Sequence, residues 1–113
     1  MIPSDNRAVI WPEKPPWMLT DLLIHLQQKL QGRVDTAYLI GSYAEGSADS
    51  DVDLILVTQT QRYWPERARD FIDLYEDVGD VDLIIYTPEE WQKLQQQPSA
   101  FIQHVQLNWV QIL

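Results

Sequence analysis

Residues 37–58 decide the fold of this chain, and they read AYLIGSYAEGSADSDVDLILVT. The apolar run at 37–40 predicts a short buried strand that stops at Gly41. A second run at 52–58 is aliphatic apart from its carboxylate and predicts the clearest strand of the chain. The small and polar residues between them, 41–50, predict a loop with room for one helical turn. Because this link is too short for a crossover helix, we expect the two strands not to form a parallel pair.

Hydrophobic periodicity and capping signals predict the remaining elements. They are a helix at 20–31 with Thr20 as its N-cap, a helix at about 63–77 with Pro65 in its first turn, a strand at 81–86, a helix capped at Thr87, a helix from Ser99 to about 106, and a last short strand within 109–113. The apolar stripe of the second helix is expected to consist of Ala68, Phe71, Ile72 and Tyr75. The long helix between the second and third strands permits a parallel pair, so we predict an α/β (α+β) fold with a small mixed sheet of three or four strands flanked by helices.

The composition fits one globular domain. The chain has 113 residues, of which 45% are apolar and 22% charged, without any cysteine. Four prolines fall within 1–18, which predicts an irregular N-terminal arm before a single domain at 19–113. The sequence shows neither a signal peptide nor a membrane-length apolar run, so the expected location is cytoplasmic and no membrane partner is expected.

The charge balance argues against a nucleic-acid ligand. Eight basic and seventeen acidic residues give a formal charge of −9. Such a surface repels phosphate backbones, whose contacts supply most non-specific nucleic-acid affinity. A nucleotide can still bind if a divalent metal lies between its phosphates and the carboxylates of the protein.

Three aspartates predict a metal site. Asp51 and Asp53 lie two residues apart at the start of an apolar strand, so their side chains point to the same face. Asp82 begins the third strand in the same way, and strand pairing would bring the three carboxylates to one end of the sheet. Clustered carboxylates repel each other unless a cation such as Mg²⁺ binds them. The alternative is that they cap strands or turns; Asp80 is interpreted as such a turn residue and Asp49 as a loop residue.

Gly41 and Ser42 follow the first strand directly, nine residues before the Asp-x-Asp pair. Glycine lets a backbone approach a ligand closely, and the serine hydroxyl with local N–H groups can hold phosphate oxygens. The strand–loop–strand arrangement therefore predicts a phosphate-binding turn beside a metal site.

These residues resemble the signature of the polymerase-β-type nucleotidyltransferases. Residues 41–46 are similar to its Gly-Ser-x-Ala-x-Gly element, residues 50–54 to its Ser-Asp-x-Asp-Leu element, and residues 81–83 to its third acidic element. The length resembles that of the minimal nucleotidyltransferases (MNT), which consist of the catalytic domain alone. The resemblance implies the nucleotidyltransferase fold, with a small mixed sheet flanked by helices.

The resemblance also implies an activity. A nucleoside monophosphate, expected to be AMP from ATP, would pass from a nucleoside triphosphate (NTP) to an acceptor with release of pyrophosphate. Gly41, Ser42 and Ser50 would contact the nucleotide, while Asp51, Asp53 and Asp82 would bind two Mg²⁺ ions and form the catalytic site. Minimal members often pair with a helical HEPN protein as antitoxin and toxin, which implies a hydroxyl of such a partner as the acceptor.

Other functions stay open at this point. Glu45 stands where the family often has a basic residue, and the linker before Ser50 is short, which favours a non-catalytic module of the same fold that neutralises a partner by contact. A small-molecule acceptor would usually need a further domain. A phosphohydrolase would usually place histidines in the cluster, whereas His25 and His104 lie elsewhere in sequence. The sequence also leaves a homo-oligomer open.

Overall fold

A computed structural model describes residues 17–44, 51–97 and 99–113 of the chain. Most of the predicted N-terminal arm, the linker with Glu45, and Ser50 lie outside the described residues. The side chain of Ser42 is also outside them, although its backbone is described.

The first helix, α1 (Leu19–Leu30), is held by one apolar stripe. Leu22, Leu26 and Leu30 are fully buried, and each contributes roughly 1.5–3 kcal/mol through burial. The prediction of Thr20 as N-cap is wrong. Leu22 donates its backbone N–H to the Met18 carbonyl, so the first helical turn forms before Thr20, and Met18 occupies the cap position without a side-chain cap.

Four strands form one mixed sheet, as predicted. Their bounds are β1 (Thr36–Ile40), β2 (Val52–Val57), β3 (Val81–Tyr86) and β4 (Val110–Gln111). The spatial order is β3–β2–β1–β4. The β1–β2 and β1–β4 pairs are antiparallel, whereas β2 and β3 are parallel. The expected antiparallel first pair and the parallel pair across the long crossover are both confirmed.

The crossover between β2 and β3 differs from the single α-helix predicted at about 63–77. It begins as a 3₁₀ helix (Trp64–Phe71) and continues as α3 (Ile72–Val78), the third α-helix after α1 and the short α2 (Gly41–Ala44). The two meet at Phe71, whose φ of −127° and ψ of 26° are not helical. Arg33 donates from Nη2 to the Asp70 carbonyl at this point, at 2.9 Å.

The break changes which side chains face the sheet. A 3₁₀ helix has about 3.0 residues per turn against 3.6 in an α-helix, so the apolar stripe shifts in phase. Phe71, Leu74 and Val78 are buried, whereas Ile72 and Tyr75 are exposed, contrary to the predicted stripe.

Helices cover both faces of the sheet. On one face, α1, the 3₁₀ helix and α3 pack against alternate residues of the strands: Ala37, Leu39, Leu54, Leu56, Val81 and Ile85. On the other, α4 (Pro88–Gln96) and α5 (Ala100–Asn108) pack against Tyr38, Ile40, Ile55 and Val57. The predicted capping box at Thr87 and the cap at Ser99 are both formed. Within the described ranges, no helix has the length and apolar character needed to cross a bilayer.

Candidate active site

Ends of the three neighbouring strands β1, β2 and β3 come together at one edge of the sheet. Ile40, the last residue of β1, pairs with Asp53 of β2, and Asp53 pairs with Asp82 of β3. Because β1 runs antiparallel to the other two, its carboxyl end lies beside their amino ends. The Gly41 turn and the two acidic strand starts are therefore neighbours, as the sequence predicted; we call this place the acidic edge.

Asp53 and Asp82 face each other across the parallel pair. Both side chains lie on the sheet face that α4 and α5 cover. Each aspartate is two residues before an isoleucine of that face, Ile55 in β2 and Ile84 in β3. Burial raises the pKa of Asp53, and a side-chain hydrogen bond and the negative charge of Asp82 raise it further. Asp53 is half-buried, whereas Asp82 is exposed. The pair can thus bind a shared proton or a cation.

Asp51 contributes charge to this pair from the residue before β2. Its carboxylate also raises the pKa of Asp53, although more weakly than Asp82 does, and it is exposed. Across residues 17–44, 51–97 and 99–113, no three histidine, aspartate or glutamate side chains are grouped so that they could bind one metal ion. The structure thus places Asp53 and Asp82 side by side, whereas Asp51 influences Asp53 through its charge alone.

The chemistry of the pair fits magnesium. Mg²⁺ usually keeps several waters and binds through one or two carboxylates plus the phosphates of a substrate. Asp53 and Asp82 supply two such carboxylates at a solvent-accessible edge. The described residues therefore fit a magnesium site that is completed by substrate.

Gly41 packs directly against Asp53. It opens the four-residue helix α2 (Gly41–Ala44) with φ of +76°, a conformation that favours glycine. A Cβ atom at this position would lie 2.4 Å from Oδ2 of Asp53. The bare Cα of Gly41 therefore accommodates the carboxylate of Asp53, and the expected contact of Gly41 with a nucleotide stays a prediction. The Ser42 backbone follows within α2.

One residue of this region escaped the sequence analysis. Tyr43 is buried, and its hydroxyl donates to the carbonyl of Trp17. Burial raises the pKa of the Tyr43 phenol, so this group is a neutral donor at physiological pH. The available signal was an aromatic side chain within an otherwise small and polar stretch, which a solvated loop would not require.

Basic residues lie at the opposite end of β2 and β3. A cavity of about 270 Å³ there is lined by Arg33, Thr58, Gln59, Thr60, Arg67, Asp70, Phe71 and Ile85. Its guanidinium groups are already paired: Arg33 with Asp73 at 2.8 Å, and Arg67 with Glu90 at 2.6 Å. The cavity is therefore not an open binding site for anions.

Comparison with known proteins assigns the family. The family model described as polymerase beta, nucleotidyltransferase matches residues 23–112. No curated protein matches the chain. Two solved structures of mutants of the toxin–antitoxin MntA–HpeT are similar. One has 18% sequence identity and a TM-score of 0.49, covering 84% of this chain and 72% of that chain. The other has 15% identity and a TM-score of 0.49, covering 86% and 73%. Because the family match spans most of the chain and includes Gly41, Asp53 and Asp82, this chain belongs to the polymerase beta nucleotidyltransferase family.

Proposed function

We propose that this chain is a Mg²⁺-dependent nucleotidyltransferase that transfers a nucleoside monophosphate, AMP from ATP, to a hydroxyl of a partner protein. Family membership supports a transferase. The observation that carries the proposal is the juxtaposition of Asp53 and Asp82 beside Gly41, because a half-buried carboxylate next to a second carboxylate costs stability unless a cation binds them.

The reaction would form one bond and break another at the α-phosphorus of the triphosphate. The acceptor oxygen bonds to this phosphorus, the bond to the bridging oxygen of the β-phosphate breaks, and pyrophosphate leaves. The hydroxyl proton passes to a carboxylate of the site or to water. Bound Mg²⁺ would neutralise phosphate charge and lower the pKa of the attacking hydroxyl.

The residues of the acidic edge would divide this work. Asp53 and Asp82 would hold the metal, and Asp51 would add a third carboxylate from the residue that precedes β2. Asp82, the exposed member of the pair, would lie nearest to the incoming acceptor and accept its proton. Gly41, Ser42 and Ser50 are proposed to contact the triphosphate.

A protein acceptor is favoured over a nucleic acid by charge. The chain carries a formal charge of −9. In the described part of the chain, Arg33, Arg62 and Arg67 lie at the end of the sheet away from the acidic edge, and each pairs with a carboxylate. A polynucleotide would therefore find few phosphate contacts near the site. We propose a helical HEPN-type partner, in a pairing of the toxin–antitoxin kind.

The test is transfer of label from [α-³²P]ATP with Mg²⁺ to the product of the neighbouring gene. Label is expected on that protein, and Asp53→Asn or Asp82→Asn should lower the rate at least ~100-fold, given what bound metals supply. Asp80→Asn, an exposed position two residues before Asp82, is the matched control and should transfer normally. Equal transfer by all three variants would rule out the proposed site.

A non-catalytic binding module is the second candidate. It is favoured by the lack, among the described residues, of three metal-binding side chains in one group. Calorimetric titration with ATP and Mg²⁺ separates the two functions. If the chain is an enzyme, the unaltered protein should give binding heat and Asp53→Asn should give none. If it is a non-catalytic module, neither the unaltered protein nor Asp53→Asn should give binding heat.

A further inference from the structure

Tyr43 connects the acidic edge to the beginning of α1. It lies in α2, two residues after Gly41, and only 3% of its surface is exposed. Its ring belongs to the core on the α1 face of the sheet, and its hydroxyl donates to the carbonyl of Trp17. A side chain of the short helix is thus hydrogen-bonded to the segment that precedes α1.

The acceptor of that hydrogen bond is itself held in place. The Trp17 ring stacks on His25, with 4.9 Å between ring centroids and 26° between the planes. Nε2 of His25 lies 3.6 Å from Oδ2 of Asp77 in α3. The Trp17 carbonyl therefore belongs to a packed region where α1 meets α3.

The helix that carries Tyr43 needs such an attachment. Four residues are too few for a helix to be stable alone, so its position depends on tertiary contacts. That position matters because the Gly41 backbone and the Asp53 carboxylate are in close contact, and a Cβ on Gly41 would reach Asp53 Oδ2 at 2.4 Å. A small displacement of α2 would change the space beside Asp53 into which phosphate oxygens must fit.

We propose that Tyr43 is a positioning residue, whose hydroxyl fixes the Gly41–Ser42 turn against Asp53 in the geometry that nucleotide binding requires. The part of this inference that concerns nucleotide binding rests on the proposed function. In this role Tyr43 would act through the position of Gly41, because its ring is buried in the core and its hydroxyl is bonded to Trp17.

The test compares Tyr43→Phe with Tyr38→Phe in the full chain. Both remove one hydroxyl from a buried tyrosine, but Tyr38 lies in β1 and stacks on Trp109 in the other core. Two quantities are measured at a temperature where all proteins are folded. They are amide hydrogen exchange of residues 41–44 and the dissociation constant of Mg²⁺·ATP by calorimetry.

Tyr43→Phe is expected to speed exchange at 41–44 and to raise the dissociation constant about three- to tenfold, the usual worth of one hydrogen bond. Tyr38→Phe should leave both within twofold of the unaltered chain. Unchanged exchange at 41–44 in Tyr43→Phe would overturn the inference whether or not ATP binds. Faster exchange with an unchanged dissociation constant would reduce Tyr43 to a structural role. If the unaltered chain binds no Mg²⁺·ATP, the proposed function fails, and the nucleotide part of the inference fails with it.

Discussion

Asp53 and Asp82 occupy directly opposed positions of the parallel β2–β3 pair, and burial together with this acidic neighbour raises the pKa of the Asp53 carboxyl. Two like charges placed in this way repel each other, and a divalent cation bound by both carboxylates would replace the repulsion with attraction.

Removing one carboxylate of this pair should stabilise the metal-free fold. Asp82→Asn relieves like-charge repulsion, and we expect the free energy of unfolding at pH 7 without Mg²⁺ to rise by a few tenths to about 1 kcal/mol. Urea denaturation measures this change, with Asp80→Asn as the control. Added Mg²⁺ should stabilise the unaltered chain and not Asp82→Asn. A loss of stability in Asp82→Asn would mean that the carboxylate has a structural role.

A methyl group at Gly41 should disrupt the acidic edge. Gly41→Ala combines an unfavourable φ of +76° with a Cβ 2.4 Å from Oδ2 of Asp53. Gly32→Ala is the matched control, because Gly32 has φ of +81° and nothing within 4 Å of the added Cβ.

Both glycine variants should lose about 1–2 kcal/mol from the left-handed backbone. Gly41→Ala should lose at least about 1 kcal/mol more from the clash and should bind Mg²⁺·ATP weakly. Chemical denaturation of the two proteins gives the difference. Equal losses of stability in Gly41→Ala and Gly32→Ala would show that the Asp53 side chain moves aside at no cost, so that the close packing of Gly41 on Asp53 adds nothing to stability.

Arg67 should be the most costly cation to remove among the described residues. It is 8% exposed and donates to the carbonyls of Arg62 and Ile85 at 3.0 Å each, besides pairing with Glu90. Arg67→Met keeps much of the volume and leaves these acceptors without a donor, so we expect a loss of about 2–4 kcal/mol. Arg69→Met, at a largely exposed position 3.8 Å from Glu66, should cost less than about 0.5 kcal/mol. Thermal and urea unfolding measure the stability loss of both variants. A small loss for Arg67→Met would mean that its hydrogen bonds and its pair with Glu90 contribute little to stability.

The Arg33–Asp73 pair should make stability depend on acid. Arg33 donates to both carboxylate oxygens of Asp73, at 2.8 and 3.0 Å, and these hydrogen bonds lower the pKa of Asp73 to about 2. Since an unfolded aspartate titrates near 3.9, the folded state favours the charged form. The stabilisation is complete above about pH 5 and is lost as the pH falls through 4 towards 2.

The measurement for this pair is the free energy of unfolding against pH for the unaltered chain and Asp73→Asn. The difference should be about 1 kcal/mol at pH 6, after allowance for solvent screening of a partly exposed pair, and should vanish near pH 2. Asp35→Asn, at an exposed position, should change stability by less than about 0.5 kcal/mol at pH 6. A pH-independent difference for Asp73→Asn would contradict the assigned pKa.

The strands and their pairing were predictable because the signals are local. Residues 37–40 and 52–57 have the apolar character of buried strands, and the length of each connection limited how they could pair. The convergence of Asp53 and Asp82 followed from their equivalent places at the starts of two strands that the long crossover allowed to be parallel.

The remaining details depend on contacts between residues distant in sequence. The 3₁₀ start of the crossover carries a buried Arg67 that bonds to the end of β3, and nothing in residues 63–77 alone indicates this partner. The side chain that fills the space beside Gly41 was likewise invisible until β1 and β2 were paired. Tyr43 was missed because the Trp17 carbonyl lies 26 residues away in sequence.

The parallel pairing of β2 and β3 separates the acidic edge from the chain that joins these strands. The connection leaves β2 at the far end of the sheet, and residues 59–63 there are mostly exposed. Within this connection, only the return through Asp80 approaches Asp53 and Asp82, and the Asp80 carbonyl accepts the Val52 N–H at 3.1 Å. The segment 59–63 is therefore the natural insertion point for a fluorescent tag or an affinity peptide, because it lies at the end of the sheet opposite Asp53 and Asp82.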